Sequence, residues 1–393
     1  MQRLGQCVVH HLIGRYVSED ENLGDNKLRN KPCWCGSGKK YKKCHMLREE
    51  QEVLSRRELE THSKSTKNKK VCSVSDLFPG ECTSKIINAH TISKSGSLLE
   101  IAENGHVMGV KPSLSGLIKR DGKLGLEKVG VKKASTFTGF CSVHDKALFA
   151  PLEDEPITLT EQQLFLLAYR GFCREYFQKE LNKKTVDLMK EADRGQEVET
   201  QIHMQRHANL FDHGVDIALR DLRYIKSKLD PILISADFST FKHCVIEFKS
   251  QPKVLVSSMI APEMDFNGRR LQTLGIQEQI FEYIFFNCIA YEGKGAFIFS
   301  WLPEHSNYCS KFIDSLLSLD ESSISNALVR FCYSFSENTW ATPSWWEALS
   351  QETQSSIEAR LLQGTPVALH PIDCLKEDGH EFNAFDILRI SKT

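Results

Sequence analysis

No stretch of this chain reaches the roughly 18–20 consecutive apolar residues that a membrane helix needs. The opening residues are interrupted by His10, His11, Arg15 and several acids, so no secretory signal is expected there. Net charge is only −1, which gives the chain no global field to select a partner. There is no GxxxxGK[ST] phosphate loop, no G-x-S-x-G elbow, no kinase signature set, no dinucleotide fingerprint and no internal repeat. A motor ATPase, a serine hydrolase of the elbow type and a Rossmann dehydrogenase are thereby set aside. What remains is a chain of 393 residues, 41% apolar, long enough for two or three domains with real cores.

Cysteine is not scarce: there are 13. Cys7, Cys72, Cys173, Cys244, Cys288, Cys309, Cys332 and Cys374 stand alone, most of them in apolar context, and read mostly as small buried hydrophobes. The others fall into two sets with His. The first is Cys33-Trp34-Cys35-Gly36-Ser37-Gly38-Lys39-Lys40-Tyr41-Lys42-Lys43-Cys44-His45. Three thiols and one imidazole in so short a window suit tetrahedral zinc. Gly36 and Gly38 allow the backbone to fold back so that the ligand pairs meet. These residues resemble the SEC-C motif, the short zinc-binding tail of the bacterial protein-translocation ATPase and an appendage of many otherwise unrelated bacterial proteins. The resemblance implies a small zinc module over residues 27–47 that contacts other macromolecules. Residues 27–70 are rich in Lys and Arg, and Lys39, Lys40, Lys42 and Lys43 are candidates to meet nucleic acid or an acidic protein surface. A solvated basic linker is the plainer reading of the same charges.

Residues 48–75 read as a charged helix followed by a Ser/Thr/Lys-rich linker. The second set lies in residues 76–155. Cys141-x-x-His144 places two ligands on one turn, and Cys82 and His90 are the expected remaining donors. Ala89-His90-Thr91-Ile92-Ser93-Lys94-Ser95 and Phe140-Cys141-Ser142-Val143-His144-Asp145 resemble the strand and helix start of HNH or treble-clef fingers, over residues 80–146. In that family the strand histidine deprotonates a water, and a helix residue helps hold a divalent cation at the scissile phosphate. His90 cannot be both zinc ligand and base. With Cys82, His90, Cys141 and His144 all on one zinc, no position stays open for water, so the residues favour structure over catalysis.

Residues 156–230 read as helical, starting near Thr160, breaking at Ala192–Gly195 and ending at Pro231. Residues 231–393 alternate short β-type runs (232–234, 244–248, 254–259, 296–301) with one helix-like run over 274–288, predicting a mixed α+β domain. Asp237 followed by Glu247-x-Lys249 matches the metal-dependent nuclease pattern, with carboxylates for Mg2+ and a lysine for the water. On an edge strand Glu247 and Lys249 would simply be alternate outward residues. Pro343 and Ser344 predict a helix that Trp345 and Trp346 anchor.

The expectation is therefore a multidomain α+β, cytoplasmic protein with one Zn2+ site and a second candidate, binding nucleic acid or protein and no membrane. The alternative is an HNH-like, Mg2+-dependent nuclease of a bacterial defence or toxin system, with His90, Asp237, Glu247 and Lys249 as its candidate catalytic residues.

Overall fold

A computed structural model describes residues 29–83, 85–110, 120, 123–275, 279–364 and 370–393. Within them the chain is mixed α+β. The α-helices longer than one turn are α1 (Arg56–Lys67), α2 (Ser142–Glu153), α3 (Glu161–Glu191), α4 (Val198–Ser235), α5 (Ser306–Leu317), α6 (Glu321–Phe335), α7 (Pro343–Ala348) and α8 (Gln351–Arg360). Strands are β1 (Ile86–His90), β2 (His106–Val110), β3 (Leu126–Gly130), β4 (Thr136–Cys141), β5 (Lys242–Phe248), β6 (Val254–Ile260), β7 (Ile284–Tyr291), β8 (Lys294–Trp301), β9 (Thr339–Ala341) and β10 (Ile387–Lys392). None of the described helices is long and apolar enough to cross a membrane.

The chain divides into two compact units. One holds residues 29–68 with Leu181–Asp216, the other Lys69–Glu180 with Ile217–Thr393. The divisions fall inside α3 and α4, so each helix contributes to both units.

In the first unit, α1 takes up the Ser/Thr/Lys-rich stretch that the sequence reads as a linker. Its start is a capping box: Ser55 Oγ accepts from Glu58 N–H at 3.2 Å, and Glu58 accepts from Ser55 N–H at 2.8 Å. The 181–191 end of α3 and the 198–216 start of α4 are joined through Asp193–Gly195. Lys183 and Lys190 both reach Asp212.

In the second unit, eight antiparallel strands run in the order β10-β5-β8-β7-β6-β9-β2-β3, and β1 pairs with β4 in a separate ribbon. The central strands β6, β7 and β8 are buried almost throughout. On one side Phe286, Phe297 and Phe299 meet Phe331 of α6 and Phe312 of α5. On the other, Phe241 packs against Phe285 and meets Phe165 of α3 edge-on. Trp345 anchors α7 by donating to Phe382 O at 2.7 Å.

Three sequence expectations are corrected here. Pro231 does not end α4, which continues through Ile232–Ile234 to Ser235. Proline removes one i→i−4 bond, and near a C-terminus the last turn survives that loss. Of the helix-like run over 274–288, residues 274–275 are a turn, 279–283 are irregular backbone and 284–288 belong to β7, while 276–278 lie outside the described residues. A strand covered on both faces is a continuous apolar run, which periodicity alone does not separate from a buried helix. Finally, β5 is not an edge strand, since β10 pairs with it on the side away from β8.

Candidate metal centres

The first centre is built by a tight hairpin. Cys33 N–H donates to Lys39 O at 2.8 Å, and Tyr41 N–H to Lys31 O at 2.9 Å. Between them Gly36 and Gly38 sit at φ 78° and 71°. A Cβ at either would meet nothing within 4 Å, so it is the left-handed backbone rather than crowding that calls for glycine. A 3-10 turn over Tyr41–Lys43 then reverses the chain, with Cys44 and His45 N–H both donating to Tyr41 O.

This brings the donor atoms of Cys33, Cys35, Cys44 and His45 within 4.8 Å of one another. His45 Nδ1 is 3.2 Å from Cys33 Sγ and 3.1 Å from Cys44 Sγ, and the sulfurs of Cys35 and Cys44 are 3.6 Å apart. Donors at zinc bond lengths of about 2.0–2.3 Å in a tetrahedron stand about 3.5–3.8 Å apart, so the set fits a cation with little movement. The hydrogen bond between Cys33 and Cys35 holds the Cys35 thiol well below its usual range and the Cys33 thiol above it. At Cys35 burial opposes this, and His45 and Ser37 add to it. A thiol poised as thiolate is what the metal requires. Cys33, Cys35 and His45 are buried, Trp34 packs on the His45 ring at 4.4 Å, and Tyr41 closes the floor.

The surroundings of His45 extend into the helical part of the same unit. Its Nε2 lies 2.9 Å from Asp193 Oδ2 in the turn between α3 and α4. Asp193 is fully buried and also accepts from Arg48 Nε at 2.8 Å and Gln205 Nε2 at 2.8 Å. Burial would raise its carboxyl, but His45, Gln205 and Arg48 together hold it below the usual range. Asn209 Nδ2 donates to Cys35 O at 3.0 Å. Lys39, Lys40, Lys42 and Lys43 remain exposed.

The second centre forms where the 71–73 segment runs beside β4: Val71 N–H donates to Thr138 O and Ser73 N–H to Gly139 O. This carries Cys72 to the end of β4, where Cys141 caps α2 and His144 occupies the first turn. Donor atoms of Cys72, Cys82, Cys141 and His144 lie within 4.8 Å of one another, with Cys72 Sγ 3.3 Å from His144 Nδ1. Burial would raise the Cys141 thiol, but backbone N–H groups of His144 and Thr83 outweigh it and bring it down to about 6. Cys82 is exposed, and His144 Nε2 is buried with no hydrogen-bond partner among the described residues.

One donor differs from the sequence expectation. Cys72 takes the position expected of His90, and the reason is strand geometry. In the ribbon Ile86 pairs with Cys141 while His90 pairs with Thr136. Four residues of extended chain move His90 about 13 Å from the Cys141 end. There its Nε2 lies 3.0 Å from Val131 O, and burial lowers its pKa. The only trace of Cys72 in the sequence is a lone thiol ten residues before Cys82. Asp193 stood inside Ala192–Gly195, which read as a helix break and nothing more.

The structure does not present Asp237, Glu247 and Lys249 as a free carboxylate–lysine set. Asp237 is exposed and accepts from Ser239 at 2.8 Å. Glu247 pairs with Arg389 at 2.6 Å across to β10, and Lys249 lies 3.5 Å from Asp386. Among the described residues the two Cys/His sets are the groups placed to hold a metal ion.

No curated protein and no solved structure matches the chain. One family does match part of it: residues 29–47 carry the SEC-C motif.

Proposed function

We propose that this protein is a zinc-ordered binding module in which Cys33, Cys35, Cys44 and His45 hold one structural zinc and Cys72, Cys82, Cys141 and His144 a second. The observation that carries the reading is the donor geometry of the first set inside the SEC-C motif. Four protein donors complete each tetrahedron, the pattern of a structural rather than a catalytic zinc. Lys39, Lys40, Lys42 and Lys43 project from the first module and take an anionic macromolecule, nucleic acid first and an acidic protein surface second.

The test is a salt titration of binding to duplex DNA and to single-stranded RNA. Replacing all four lysines by glutamine is expected to abolish most binding and to reduce the slope of log K against log salt by about 3–4 on duplex DNA. Binding that survives the change removes these lysines as the contact, and no binding by the native protein removes nucleic acid as the partner.

A second reading, an HNH-like nuclease, has one observation in its favour: with Cys72 as fourth donor, His90 is not needed for zinc. It stands at the end of β1, antiparallel to β4, with α2 following directly. Mg2+-dependent cleavage of DNA or RNA that disappears in His90→Ala, with both zincs retained, would establish this reading. Absence of cleavage leaves the binding module.

A further inference from the structure

We infer that Asp193 is the outer-sphere partner of the first metal centre, so that the turn between α3 and α4 is part of the zinc site. The inference rests on the proposal that Cys33, Cys35, Cys44 and His45 bind zinc. The two ring nitrogens of His45 have separate surroundings. Nδ1 faces Cys33 and Cys44 Sγ at 3.2 and 3.1 Å, and Nε2 faces Asp193 Oδ2 at 2.9 Å. A metal on Nδ1 leaves the ring proton on Nε2, where it donates to the carboxylate. This is the carboxylate–histidine–metal arrangement that fixes tautomer and ring orientation and raises the basicity of the ligating nitrogen.

Asp193 is held for that role from two other sides. Arg48 donates to Oδ1 and Gln205 to Oδ2, while Arg48 Nη2 and Gln205 Nε2 also bond Lys190 O at the end of α3. Gly195 at φ 70° lets the turn close against the 48–53 segment. Its N–H donates to Arg48 O, and a Cβ there would come within 2.7 Å of Gln51 O. A buried carboxylate with one histidine, one arginine and one amide leaves His45 no freedom to turn away. Among the described residues the second centre has no such support, because none of them hydrogen-bonds His144 Nε2. The two sites should therefore differ in how tightly they keep zinc, with the first the tighter.

The test is zinc transfer from the intact protein to a competing chromogenic chelator, comparing the native chain, Asp193→Asn and Arg48→Gln. Asparagine keeps the size and the acceptor but loses the charge. Loss of an outer-sphere partner weakens metal by about 10–100-fold. Asp193→Asn is expected to weaken one zinc by that factor and leave the other unchanged, and to move the pH at which that zinc leaves upward. Arg48→Gln, which disturbs the same carboxylate but leaves the Asp193–His45 bond in place, is expected to weaken that zinc by less than Asp193→Asn does. Equal loss in both variants would mean that general packing, not the Asp193–His45 bond, sets affinity, and the inference falls. So does unchanged affinity in Asp193→Asn. A native chain whose zinc content is unaffected by Cys33→Ser overturns the zinc reading itself, a result distinct from either.

Discussion

Replacing Cys72 or His90 separates two accounts of the second centre. Cys72 is buried, and its Sγ lies 3.3 Å from His144 Nδ1. Serine fits the same space but offers a neutral hydroxyl where a thiolate is needed. Structural zinc sites with four protein ligands bind with about 10–16 kcal/mol at neutral pH. An even division assigns roughly 2.5–4 kcal/mol to each ligand, or about two to three decades of affinity. Cys72→Ser should therefore release one zinc to a chelator that leaves the native protein loaded, and retain the other. His90→Ala removes a single hydrogen bond to Val131 O. Its cost is about 0.5–1.5 kcal/mol of stability, with no change in metal. The assay is metal content by mass spectrometry after dialysis against graded chelator, with circular dichroism to check folding. Zinc lost from His90→Ala and retained by Cys72→Ser would refute the assignment and restore the donor set expected from sequence.

Two further outcomes test the second unit. Phe331, fully buried against Phe286, Phe299 and Phe312, should cost about 3–5 kcal/mol as Phe331→Ala in denaturant unfolding, with zinc content unchanged. His305 is buried with its pKa lowered by burial, and its Nδ1 accepts from Tyr283 N–H at 3.1 Å. Protonation is thus favoured in the unfolded chain, so stability should fall as pH drops below about 6.5, by up to about 1.4 kcal/mol per unit, until the folded-state pKa is passed. His305→Gln should flatten that slope, and an unchanged slope would place the titration elsewhere.

The first centre was legible in the sequence because all of its donors and both turn glycines fall in one short window. Nothing there depends on tertiary pairing. The second was half legible. Cys141 and His144 share a helical turn, but Cys72 reaches them only through backbone bonds to Thr138 and Gly139, which no spacing encodes. His90 looked eligible because sequence proximity to Cys82 hides the length of an extended strand. The long helices were legible from their period, and Ala192–Gly195 as the break between them. The second role of that break, carrying Asp193 to His45, joins residues 148 positions apart and has no local signature. The strand β7 was misread because burial on both faces erases the alternation that marks a strand.

The central claim is tested most directly by metal stoichiometry on the purified native chain. The account predicts two zinc ions per chain, falling to one in Cys35→Ser, one in Cys141→Ser and none in the double variant. A native chain without zinc, or one whose zinc survives the double substitution, would contradict it.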